Sequence, residues 1–172
     1  MKIEIKKYVR ELINYPVEGV SFKDITPILS NPEVFSYSLD LMEKLLPDSV
    51  ECLASIESRG FLFGSVLSDR LSIPSILLRK KGKLPPPVFS KEYQLEYGTD
   101  VVEVGKATVP KGKNIMIIDD LIASGGSAQA SNELLSECGN QVLGILVLIK
   151  LSYLCPENKF DKPIYYGVKY ES

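Results

Sequence analysis

Asp119 and Asp120 stand at the end of an apolar run, Ile115-Met116-Ile117-Ile118, and are followed within a few residues by Ala123-Ser124-Gly125-Gly126-Ser127. Gly125 and Gly126 let a backbone approach a ligand closely and turn sharply, Ser124 and Ser127 add hydroxyl donors, and Ser127 is placed to cap a following helix. Unpaired N–H groups at a helix start, with the positive end of the macrodipole, make an anion site. Two adjacent carboxylates repel that anion and need another partner. Ribose hydroxyls donate to carboxylates, and Mg²⁺ prefers oxygen ligands. A phosphorylated ribose satisfies both ends of the stretch. The stretch alone also permits a blander reading, in which the acids cap a helix and the glycines merely turn the chain.

Other residues carry compatible chemistry. Arg59 beside Gly60 forms either an anion-binding turn or a solvent-facing loop arginine. Arg79, Lys80, Lys81 and Lys83 are four cations in five residues, either a cluster that neutralises phosphates or a solvated charge run. Phe22 is either a buried anchor or an aromatic plate on which a base stacks. Glu96 and Tyr97 lie in a polar segment, where an acid held in a lid acts only when the lid closes. The chain has no histidine, which removes Ser-His and Cys-His catalysis and histidine metal sites. Cys52, Cys138 and Cys155 are odd in number and widely spaced, so they read as reduced structural thiols. A net charge of -2 offers no general attraction to nucleic acid or an anionic membrane.

Strands at 50–56, 74–78, 114–119 and 142–149, with helices between them, predict an α/β fold with a mostly parallel central sheet. Ile164 to Val168 adds an edge strand. In such sheets ligands bind outside the carboxyl ends of the strands, so Glu57–Gly60, Arg79–Lys83 and Asp119–Ser127 should meet on one rim. Ile3, Ile5, Tyr8, Val9, Leu12 and Ile13 share one side of a helix, which predicts an amphipathic opening helix. Val20 to Pro27 reads as a structured loop. Asn31 and Pro32 start a helix, Phe61 to Leu71 forms another with Gly64 at a close-packing position, and Ala128 to Glu137 a third that ends at Gly139. Val88 to Gly112 suits a hairpin that can move. The length predicts a single domain, 1–172. The opening residues lack the apolar core of an export signal, and the longest apolar run is far short of the ~20 residues of a membrane span, so the cytoplasm is expected.

These segments resemble the type I phosphoribosyltransferases, and within them the branch that acts on adenine. IMIIDDLIASGGS resembles the family's phosphoribosyl pyrophosphate motif (114–138), ESRGFLFG its pyrophosphate loop, RKKGKLP its basic segment, YQLEYGTD its lid (80–112 with the basic segment), and GVSFKDITPIL its base-binding hood (1–30). The resemblance implies transfer of the 5-phosphoribosyl group to adenine, giving AMP and pyrophosphate with Mg²⁺ held mainly by substrate and water, in a homodimer. It implies that Ala123, Ser124, Gly125, Gly126 and Ser127 hold the 5′-phosphate and that Asp119 and Asp120 contact the ribose hydroxyls. Ser58, Arg59, Arg79, Lys80 and Lys83 would attend the pyrophosphate, Glu96 would manage the proton of the base, and Tyr97 would shield the site. Val20, Ser21, Phe22 and Lys23 would bind the base. Alternate strand side chains point to opposite faces, so both acids reach one ligand only if the strand ends there. A cis peptide is implied at Glu57-Ser58. The chain departs from the family pattern at Ser21, usually aliphatic, at Lys23, commonly Arg, and at Ser127, commonly Thr; Ser21 would set a hydroxyl against the ring. Transfer to a 6-oxopurine, hypoxanthine or guanine, and a non-catalytic nucleotide sensor are the alternative functions.

Overall fold

Where the apolar residues alternate or run together the chain forms strands, and where they recur at helical spacing it forms helices that cover the resulting sheet. In the computed structural model, which describes residues 3–95, 98–155 and 160–171, a 3-10 helix at Ile5–Tyr8 precedes β1 (Arg10–Ile13), β2 (Ser21–Asp24) and the single turn α1 (Thr26–Leu29). Then come α2 (Pro32–Glu43), β3 (Cys52–Ile56), α3 (Gly60–Leu71), β4 (Ser75–Lys80), β5 (Val88–Leu95) and β6 (Gly98–Gly105). The rest is β7 (Asn114–Ile122), α4 (Gly126–Glu137), β8 (Gln141–Leu151) and β9 (Ile164–Tyr170).

Strands β3 to β9 form one sheet in the order β5-β6-β4-β3-β7-β8-β9. β3, β4, β7, β8 and β9 run parallel to one another, and the β5–β6 hairpin joins antiparallel to β4 at one edge. This is the expected mostly parallel sheet, and its parallel strands put their carboxyl ends on one rim. Alternation along β7 sorts the core into two layers: Ile115 and Ile117 pack with Leu134 and Leu135 of α4, while Met116 and Ile118 pack with Phe63 and Leu67 of α3 and Met42 of α2. Each such side chain, fully buried, contributes about 1.5–3 kcal/mol. At Gly64 an added Cβ would run into the side chain of Ser55, and at Gly60 it would come within 2.6 Å of the Ile118 carbonyl oxygen, so α3 lies directly on the central strands.

Asn31 Oδ1 accepts from the N–H groups of Glu33 and Val34 at 3.2 Å, as expected of the cap of α2, and Gly139 follows α4 with a φ of 86°. The N-terminus differs from expectation. The amphipathic helix is absent: Ile5 is buried but Ile13 is 75% exposed, and the segment they bound forms the 3-10 helix and β1, which pairs with β2. The loop expected at Val20–Pro27 supplies β2 and α1. Cross-strand partners Arg10↔Asp24 and Glu11↔Lys23 explain the outcome, because opposite charges facing each other favour a strand pair that helical periodicity does not reveal. The central strand also runs beyond Asp119 and Asp120 to Ile122. Among the described residues no helix is long and apolar enough to cross a membrane.

Candidate functional site

β7 delivers Asp119 and Asp120 to the rim, and the small-residue loop turns the chain from there into α4. Gly125, not Ser127, occupies the cap position of α4, with a φ of 79° that a glycine adopts without steric cost and no side-chain cap bond. Ser127 lies in the first turn, and its carbonyl accepts from Ser131 Oγ at 2.7 Å. Gly126 sits under the hairpin, where an added Cβ would lie 3.5 Å from the Gln94 carbonyl oxygen. A cavity of about 160 Å³ opens on this loop, lined by Arg59, Asp119, Asp120, Ala123, Ser124, Gly125 and Ser127 among others.

Both acids line that cavity although the strand does not end at them. The packing alternation slips instead: Ile118 and Leu121, three residues apart, pack in the same layer, while the pairing of β7 with β8 continues in register past the acid pair. Asp120 is buried, with Oδ2 at 3.1 Å from Arg59 Nε. That contact is an ion pair without hydrogen-bond geometry, and Asp120 Oδ2 has no hydrogen-bond partner. Asp119 Oδ1 accepts the Asp120 N–H at 2.8 Å. Burial, followed by the neighbouring charge of Asp120, pushes the Asp119 carboxyl well above the usual carboxylate range. Burial pushes Asp120 up as well, against the opposing pull of Arg59. The pair therefore favours donors or a cation. Among the described residues no group of three or more His, Cys, Asp or Glu is placed to hold a metal ion.

On the hood side, the Phe22 ring lies 5.1 Å from Arg59 Cζ and 5.3 Å from the Tyr15 ring. Arg59 thus bridges the aromatic plate to Asp120. Ser21 and Lys23 alternate to the other face of β2, where Ser21 Oγ donates to Glu11 Oε1 at 2.5 Å and Lys23 Nζ to the same oxygen at 2.6 Å. The Ser21 hydroxyl therefore does not lie against the ring, contrary to the expectation from sequence. Lys23 is 3% exposed and also sits over the Tyr170 ring. The Val20 N–H and carbonyl close the β1–β2 turn, bonded to Val17 and Tyr15.

On the opposite side, the Glu57-Ser58 peptide is cis, as the resemblance implied. The Glu57 carboxylate accepts from Arg79 Nη2 at 3.1 Å, Arg79 Nε at 3.3 Å and the Lys80 N–H at 2.9 Å. The Arg79 bonds hold Glu57 below the usual carboxylate range, outweighing its burial. Arg79 Nη1 also donates to the Lys83 carbonyl, Lys80 Nζ pairs with Asp100 at 3.1 Å, and the Gly82 N–H donates to buried Glu103 at 3.0 Å. Arg79 and Lys80 are thus tied, while Lys81 and Lys83 are exposed. A cavity of about 230 Å³ holds Glu57, Arg79, Lys80, Tyr93, Asp100, Asp119 and Ser127 among its lining, so it shares two residues with the loop cavity. Ser58 is exposed on the turn before α3. Glu96 and Tyr97 lie outside the described residues.

Sequence reasoning missed Glu11 and Glu103, named Tyr93 and Asp100 only as the ends of the lid segment, and gave Glu57 only as part of the Glu57–Gly60 rim loop and of the cis peptide. Tyr93 and Asp100 are register partners across β5 and β6, a pairing that no spacing in the sequence announces.

Residues 26–171 match the model of the phosphoribosyl transferase domain. The chain is 42% identical over 159 residues to the adenine phosphoribosyltransferase of a Thermoanaerobacter species, covering 92% of each. It is similar to the crystal structure of adenine phosphoribosyltransferase from Thermoanaerobacter pseudethanolicus, with a TM-score of 0.93 and 40% identity over 96% of this chain and 98% of that one. The enzyme of the same name from Saccharomyces cerevisiae, solved with an imino-altritol bisphosphate and adenine, gives a TM-score of 0.89 at 35% identity, over 95% and 96%.

Proposed function

We propose a function from the premise that this chain belongs to the phosphoribosyltransferase family, among the adenine phosphoribosyltransferases: it transfers the 5-phosphoribosyl group of phosphoribosyl pyrophosphate to N9 of adenine, giving AMP and diphosphate. The observation that carries the reading is the acid pair beside the glycine-capped start of α4, in one cavity with Arg59.

In this reading the N–H groups of Ala123 to Ser127 and the hydroxyls of Ser124 and Ser127 take the 5′-phosphate. Asp119 and Asp120 accept the ribose hydroxyls; the buried, unsatisfied Oδ2 of Asp120 and the raised proton affinity of the pair support that assignment. As diphosphate leaves, positive charge develops on the ribose ring, and the two carboxylates stabilise it. Ser58, Arg59, Arg79, Lys80 and Lys83 attend the diphosphate and neutralise the departing charge. Mg²⁺, held mainly by substrate oxygens and water with hard oxygen donors from the acid pair nearby, adds to that neutralisation when bound.

Adenine stacks on Phe22, taking the place of the Arg59 guanidinium on that ring, and backbone groups of Val20 to Lys23 read its edge. Because Ser21 and Lys23 turn their side chains to Glu11, their departure from the family pattern leaves the stacking face unchanged. Glu96 manages the proton of the base and Tyr97 excludes water; Glu96→Gln is expected to lower kcat much more than it weakens phosphoribosyl pyrophosphate binding. A homodimer in the cytoplasm completes the reading.

A panel of radiolabelled bases with phosphoribosyl pyrophosphate tests it. Adenine is expected to give AMP and diphosphate. Product from hypoxanthine or guanine and none from adenine would replace the base, and tight substrate binding without diphosphate release would make the chain a sensor.

A further inference from the structure

We infer that Asp100 is a positioning residue that holds Lys80 at the mouth of the diphosphate cavity and competes with the substrate's phosphates for its ammonium group. The inference rests on the functional reading above. β6 carries Asp100 to Lys80 of β4, with Nζ–Oδ2 at 3.1 Å. The acid has two further donors: its cross-strand partner Tyr93 gives its hydroxyl at 3.3 Å, and the Val101 N–H reaches Oδ1 at 2.8 Å. Its side chain is 20% exposed, against 62% for Lys80. The carboxylate is therefore the fixed member of the pair, and the lysine is the member free to swing.

A single ion pair to a long, exposed lysine is worth little, because screening and side-chain entropy offset the attraction. A diphosphate carries several negative oxygens, and in the adjoining cavity of about 230 Å³ it outcompetes one carboxylate. Arg79 differs: it is held by two bonds to Glu57 and one to the Lys83 carbonyl. Lys80 is the tied cation that leaves most easily, and Tyr93 and Val101 keep Asp100 in place when it does.

The test is titration calorimetry with inorganic diphosphate, and separately with phosphoribosyl pyrophosphate, on the wild-type chain, Asp100→Asn, Lys80→Gln and the double variant. Asn keeps an oxygen for the Val101 N–H and turns its amide N–H toward the Tyr93 hydroxyl, which can accept it, but loses the charge. Asp100→Asn is expected to tighten diphosphate binding about three- to tenfold, and this gain should vanish in the Lys80→Gln background. Unchanged or weaker binding in Asp100→Asn overturns the inference. So does an equal gain without Lys80, which would assign the effect to the general loss of negative charge. If Asp100→Asn melts below the assay temperature, the wild-type chain gives a second readout. The Lys80 ammonium resonance, assigned by its loss in Lys80→Gln, is expected to shift on addition of diphosphate, and a stationary resonance overturns the inference. AMP formation with binding unmoved by Asp100→Asn sinks this inference alone, whereas no AMP from adenine in the wild-type chain sinks the functional reading.

Discussion

Two pairs of acids flank the same rim and behave in opposite ways. Asp119 and Asp120 are crowded together with one arginine between them, and their proton affinities are raised, first by burial. Glu57 and Asp100 each have a cation, and their proton affinities are lowered: Arg79 dominates at Glu57, while at Asp100 the Val101 N–H and Lys80 outweigh burial. The uncompensated pair is a standing cost to the free protein that a ligand's donors relieve. The compensated pair keeps the cations ordered in the free protein, and in the proposed reading the substrate would exchange partners with it. In that reading, one half of the rim would bind by filling a deficit and the other by substitution.

The sharpest way to break this contrast is Asp119→Asn. Activity is expected to fall by about 100-fold or more in kcat/KM, while the unliganded protein melts higher by a few degrees because one of two neighbouring like charges is gone. Steady-state kinetics and a thermal melt check both; a lower melting temperature would remove the deficit. The wild-type chain should also gain stability as pH falls through the raised value of the acid pair, since the folded state there binds more protons than the unfolded one, and the variant should lose most of that gain.

The compensated side carries the opposite sign. Glu57→Gln is expected to destabilise by about 1–2 kcal/mol, as Arg79 and the Lys80 N–H lose a charged acceptor. Glu57 has a depressed folded value, so its contribution is fully present above the unfolded value and is lost as pH falls through the folded one. Acid denaturation followed by circular dichroism should therefore show a shallower loss in Glu57→Gln than in wild type. The smallest effect is expected where a paired acid lies away from the cavities: Ser21→Val removes one donor to Glu11 and should leave kcat/KM for adenine within about twofold. A larger change would put the Ser21 hydroxyl back against the base.

The sheet and the loop were legible because their signals are local: an apolar run, an acid pair, glycines and a helix in sequence. The hood was not, since Arg10–Ile13 becomes a strand only by facing Ser21–Asp24, and the helical spacing of Ile5, Tyr8, Leu12 and Ile13 competes with that pairing. The acids were expected at a strand end, whereas β7 continues and slips its alternation between Ile118 and Leu121, which depends on packing in both layers. The basic segment was visible as charge, but its partners Glu57, Asp100 and Glu103 come from the turn after β3 and from β6, and no spacing within Arg79–Lys83 announces them.

The alternation of β2 has a consequence for how this hood can diverge. Phe22 faces Arg59, while Ser21 and Lys23 face Glu11 and Tyr170. Substitutions at 21 and 23 are therefore drawn into a private negotiation with Glu11 and the last strand, and the Phe22 ring on the other face is insulated from them. In the proposed reading, residues 21 and 23 can vary without retuning the face of Phe22 on which the base would stack.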